Sequence, residues 1–231
     1  MEIELIKVVL PSLLGALLGF FFVWIASFFS RKRDRYVNHY NAIIKIGVVL
    51  NNNLALIHSN IYTLPGFANS ITEGKIFWGS LSSLELKEEY LLQLHDIELA
   101  NELASYLLSA SRVNMDILNI SNGYSEIKKA YIERNIDKET YINNAEIIKQ
   151  YLEIIQNYLE DFKNDGLELQ AKIRIKIKKE KPMSSSVISY LINRHIYTPQ
   201  QSEIAGEKKT IEAEVEELSK EYAEKIKNIV K

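Results

Sequence analysis

The chain has 231 residues, a net charge of −2 and no cysteine. This composition excludes a disulfide framework, a thiolate nucleophile and a cysteine metal site. It also makes a bulk electrostatic grip on nucleic acid by the whole chain unexpected. Only 9 Gly and 4 Pro stand among abundant Leu, Ile, Lys, Glu and Asn, which favours long helices over a many-stranded fold rich in turns.

Val8 to Phe29 is a run of 22 residues without a charge, and a helix crossing the hydrocarbon core of a bilayer needs about 20. Its only polar side chains are Ser12 and Ser27, whose hydroxyls can bond back to the helix backbone. A soluble core helix would interrupt such a run with a polar face. A cleaved signal peptide would begin with basic residues and offer a small-x-small cleavage site. Here Glu2 and Glu4 precede the run with only Lys7 to balance them, and "WIASFFS" offers no such site. The segment is therefore expected to stay as an anchor. Arg31, Lys32, Arg33 and Arg35 follow it, against Lys7 alone before it, which places the C-terminal side in the cytoplasm. Aromatic side chains from Phe20 to Phe29 weight its inner half, as at a membrane interface. The expectation is a single-pass protein of the cell inner membrane, with residues 1–7 outside and 8–29 in the membrane. A cytosolic helical bundle over 30–166 and a basic segment with C-terminal helices over 167–231 complete the division.

Beyond the basic cluster, Tyr40, Ile43, Ile46, Leu50, Leu54, Ile57 and Ile61 recur at spacings of three and four, one apolar helix face that can continue the membrane helix. Pro65 and Gly66 are expected to end it. "GKIFWGSL" reads as irregular structure carrying Phe77 and Trp78. Ser82 and Glu85 read as a capping box opening a second helix to about Asn119. Asp137 is the expected N-cap of a third. There Tyr141, Ala145, Ile148, Leu152, Ile155, Leu159 and Phe162 specify a narrow helix–helix seam, within a bundle or between subunits. Gly166 fits the position just past its end. Leu167 to Ile177 alternate apolar and polar residues, the period of a strand. No second strand of equal length is found to pair with it. The fold class is therefore all-α, with a short strand near 169–178 left open. "TPQQ" reads as Thr198 capping and Pro199 opening a last helix that carries Ile211 and Val215.

Chemistry is sparse. His39, His58, His95 and His195 lie far apart with no partner at zinc-ligand spacing. No phosphate-binding loop, dinucleotide fingerprint or nucleophile elbow is found. No metal, no cofactor and no enzymatic activity are expected. Arg33 and His39 in "RDRYVNH" resemble the Arg-x(4–6)-His signature of HEPN ribonucleases, with Asp34 in the position that often follows the Arg. The resemblance implies RNA cleavage by that pair across a dimer, although the positive-inside bias explains Arg33 without catalysis. Lys172, Arg174, Lys176, Lys178, Lys179 and Lys181 form a basic run suited to lipid headgroups or an RNA backbone. No aromatics interleave with it for stacking, so nucleic acid is the less expected partner, and a solvated helix face explains it equally.

Ser12, Gly15, Ala16 and Gly19 place small residues along one face of the anchor, where membrane helices approach closely. With the seam at 141–162 this points to a homo-oligomer. The layout resembles the small membrane effectors of bacterial antiphage systems, such as the membrane-anchored accessory proteins of type VI-B CRISPR systems. That resemblance, carried by the plan and by "RDRYVNH", implies assembly into membrane pores. Three readings follow: a self-assembling, membrane-perturbing effector, a membrane scaffold for a cytosolic protein partner, and a membrane-tethered HEPN-like ribonuclease.

Overall fold

The computed structural model describes residues 2–85, 88–181 and 196–229, with side chains over 13–85, 88–181 and 196–217. Among the described residues every regular element is a helix. Helix α1 spans Glu2–Thr72, a 3-10 turn spans Glu88–Gln93, α2 spans Ile97–Ile132, α3 spans Lys138–Lys179 and α4 spans Gln201–Ile229. Helix α3 is the hub, packing against α1, α2 and α4.

The 71 residues of α1 make one helix about 107 Å long. The predicted apolar stripe is its core face, with Ile43, Ile46, Leu50, Leu54 and Ile57 buried. The expected stop at Pro65 does not occur. Proline inside a helix costs about 3 kcal/mol, but Leu64, Phe67 and Ile71 are buried on the turns around it. Each such side chain contributes about 1.5–3 kcal/mol, so the three together outweigh the proline. The helix ends instead at Gly74, whose φ of +72° suits glycine. Its N–H bonds to Ile71 O and that of Lys75 to Ser70 O, the paired bonds of a left-handed helix C-cap.

From Lys75 the chain turns back as an extended strap along α1 and α2. Ser82 and Glu85 do not cap a helix. Ser82 donates its N–H to Asn60 Oδ1 and accepts from Asn60 Nδ2. Glu85 exchanges the same pair of bonds with Asn53, and Leu84 with Asn114. Tyr124 closes the series on both backbone groups of Phe77. Asn53 and Asn60 are buried, and buried amides require partners, so the strap backbone supplies to them what a neighbouring strand would. Helix α2 starts later than expected, capped by Asp96 accepting from Leu99 N, and runs on past Asn119.

Asp137 caps α3 as expected, accepting from Thr140 N at 2.8 Å. The seam from Tyr141 to Phe162 is entirely buried within the chain, so it lies inside the bundle and is not left for a second subunit. The helix does not end at Gly166. A Cβ there would lie 3.1 Å from Leu54 Cδ2 and 3.2 Å from Tyr106 Cε2, so glycine lets three helices meet. Residues 167–179 continue α3, and the strand left open near 169–178 is helix. The alternation has a physical cause. Leu167, Ala171 and Ile175 form one i,i+4 row packed on Leu54, Ile204, Ile211 and Val215. Leu169, Ile173 and Ile177 form a second row, on the opposite face, in the main core. Two such rows on a helix buried on both sides read as period two.

Candidate functional site

Four charged or titratable side chains converge where α1, α2 and α3 meet, just past the apolar segment of α1. His39 is 2% exposed, Lys176 4%, Glu180 5% and Asp96 8%. Each is placed by a helix feature. His39 shares the core phase of Ile43, Ile46 and Leu50, Asp96 is the N-cap of α2, Glu180 is the C-cap of α3, and Lys176 is one turn before it.

Lys176 Nζ donates to Asp96 Oδ2 and to Tyr197 O and lies 3.5 Å from Glu180 Oε1. Three ammonium protons thus face three acceptors. Glu180 Oε1 also accepts from Tyr197 N at 2.9 Å, and its backbone carbonyl accepts from the Tyr36 hydroxyl. His39 Nδ1 accepts the N–H of His95 at 3.1 Å. His39 Nε2 lies 3.3 Å from Glu180 Oε2. Both atoms are buried without a hydrogen bond, so the two face each other as a close buried contact.

Burial raises the carboxyl of Asp96. Lys176, the N–H of Leu99 and His39 outweigh it and hold the group below its ordinary range. Burial raises the Tyr40 hydroxyl, which donates to Ile177 O at 3.3 Å. The ammonium of Lys176 sits where a cation shared by two carboxylates would sit, and no group of three or more metal-ligating side chains occurs among the described residues.

The predicted residues fall as follows. Arg33 is exposed and His39 buried on another face of α1, so the helix does not bring the pair together within one chain. The basic run is largely matched by acids of the same chain. Lys172 pairs with Glu102 at 2.7 Å, Arg174 with Glu214 at 2.6 Å, Lys178 with Glu207 at 2.7 Å and Lys179 with Glu203 at 3.7 Å. Lys176 is in the buried cluster, and Lys181 is exposed. Most of the run thus seats α3 against α2 and α4. Arg31, Lys32 and Arg35 are exposed just past the apolar segment. Gly15 and Gly19 have open space around them and Ala16 is exposed. The side chain of Ser12, and all of His195, lie outside the described residues.

Two clefts lie along α2 and α3. One of about 180 Å³ opens onto Asp96 and Lys176 between α2, α3 and the start of α4. A larger one of about 290 Å³ lies farther along α2 and α3 over Tyr106 and Phe162. Sequence reasoning misses the buried cluster. Its signal is nonetheless there, since His39 and Lys176 are polar residues in phase with apolar rows.

Among the described residues, one helix, α1, is long and apolar enough to cross a membrane, and the fold is all-α. Comparison with known protein families, curated proteins and solved structures finds no match for the chain.

Proposed function

We propose that the chain is a single-pass inner-membrane protein, N-terminus outside, that holds a helical module at the cytosolic face and acts through binding. The observation that carries this is the division of α1. Its apolar window has a mean hydropathy of 2.1 with none of it buried by the protein, whereas the same helix from His39 to Ile71 forms the bundle core. Leu17, Phe20, Phe22 and Val23 are more than half exposed. Moving each from water into lipid is favourable by about 1.5–3 kcal/mol. A bilayer is the surrounding that suits this segment, and the four basic residues after it favour a cytosolic bundle. The test combines carbonate extraction of membranes with a reporter fused at Lys231. Retention in the membrane with reporter activity in the cytosol is expected, and release by carbonate or periplasmic activity overturns the reading.

A second reading, a bilayer-perturbing effector of antiphage defence, is favoured by the open small face at Gly15 and Gly19. Gly15→Leu with Gly19→Leu keeps the segment apolar but separates neighbouring backbones. Loss of membrane depolarisation on induction of the double variant supports this reading, and an unchanged response returns the choice to the scaffold.

A further inference from the structure

We propose that one face of α1, from Gly15 in the membrane segment to Val48 in the bundle, is an interface with a second, parallel copy of this chain. The inference rests on the membrane reading above. A helix turns about 100° per residue, so positions along α1 can be assigned to faces. The buried stripe through His39, Ile43, Ile46, Leu50 and Ile57 defines the core side. The line on the opposite side passes through Ile44 and Val48, which are 37% and 58% exposed. Continued toward the N-terminus, the same line passes through Ala26, Gly19 and Gly15, all exposed. The bulky rings Phe21, Trp24 and Phe28 stack along the other side, in phase with the core. Small residues in the membrane segment and apolar residues just past it thus occupy one exposed face of α1 as far as Val48, beyond which Asn51 on the same line accepts a hydrogen bond from Arg174 of α3.

Charge complementarity selects the occupant. Arg33 lies about 30° to one side of the centre of this face and Asp34 about 70° to the other, and both are exposed. In a parallel two-fold pair, the left flank of one helix faces the right flank of the other. Each Arg33 then meets the Asp34 of the second copy, twice per dimer. A single-pass anchor keeps copies parallel in one membrane, so this arrangement needs no further partner. The contact steps of three and four residues average close to a straight stripe, as close-packed membrane helices with small interfaces use.

The chain has no cysteine, so single introduced cysteines report the interface directly. Val48→Cys and Ser30→Cys lie on the proposed face; Leu108→Cys, exposed on α2, is the control. On oxidation of native membranes, the first two should form disulfide dimers and Leu108→Cys should not. In the Val48→Cys background, Arg33→Asp alone and Asp34→Arg alone should each lower the cross-linked fraction several-fold by placing like charges opposite each other. Co-expressed, the acidic and basic chains should cross-link again, selectively with each other. Membrane-bound protein with no cross-linking, with equal cross-linking at Leu108→Cys, or with no preference for the mixed pair overturns the interface and leaves the membrane reading standing. Protein in the soluble fraction overturns the membrane reading, and this proposal with it.

Discussion

His39 Nε2 lies 3.3 Å from Glu180 Oε2, which ties the helix that carries the apolar segment to the C-cap of α3. His39 is only ten residues past Phe29, about 15 Å along the helix. The buried cluster is thus the joint where the bundle is closed nearest the apolar segment.

Within that joint Lys176 is the cation between two buried carboxylates. Lys176→Met should cost about 3–5 kcal/mol, because it leaves Asp96 and Glu180 buried without a counter-charge. Adding Asp96→Asn and Glu180→Gln should recover most of the loss, since asparagine also caps helices well. Thermal unfolding of the detergent-solubilised chain measures both. Equal losses in the single and triple variants would assign the effect to packing volume.

The joint should also respond to acid. The folded pKa of Asp96 is depressed, so between that value and the unfolded one of about 3.9 the unfolded chain binds more protons. The contribution of Asp96 is complete above the unfolded value and drains away as pH falls through the folded one. Urea midpoints should therefore drop below about pH 4, and Asp96→Asn should flatten part of that drop. An identical profile in the variant would assign the acid sensitivity to Asp137, Glu203 and Glu214, which are also held low.

Two glycines in helices should behave in opposite ways. Gly206 has open space around it, so Gly206→Ala should stabilise the chain by up to about 1 kcal/mol through helix propensity. Gly166 faces Leu54 and Tyr106 at contact distance. Gly166→Leu should therefore destabilise by about 1–3 kcal/mol through overpacking. Urea unfolding of the pair checks the sign at each site, and stabilisation by Gly166→Leu would contradict the close approach of α1, α2 and α3.

The strap should open locally before the bundle does. Asn60→Ala removes both partners of the Ser82 backbone, at a cost of about 1–3 kcal/mol. Hydrogen exchange should speed up at Ser82 and neighbouring amides while amides of α3 keep their protection. Uniform acceleration would mean that the strap and the core unfold together.

Long periodic rows are legible in the amino-acid order alone: Ile43 to Ile57 on α1, Tyr141 to Phe162 on α3, and the uncharged run from Val8 to Phe29. Each is a local signal, because residues three and four apart share a helix face whatever lies opposite. Asp137 is legible for the same reason, since a cap acts on the turn that follows it. What lies opposite each face is decided by tertiary structure. Pro65 is an ordinary stop signal, overridden by Leu64, Phe67 and Ile71 finding a core that no local window contains. Gly166 looks like a helix end until Leu54 and Tyr106 are seen to need its missing side chain. The alternation from Leu167 to Ile177 imitates a strand because α3 is buried on two sides there, one against α1 and one against α4. The basic residues from Lys172 to Lys179 look like a surface for lipid or RNA. Their acids, Glu102, Asp96, Glu203, Glu207 and Glu214, come from segments distant in sequence. Sequence by itself determined the central stretches of the long helices and which faces are apolar, because both depend on near neighbours. Only the tertiary structure decided which faces meet and which charges are already matched, because those depend on residues brought together from across the chain.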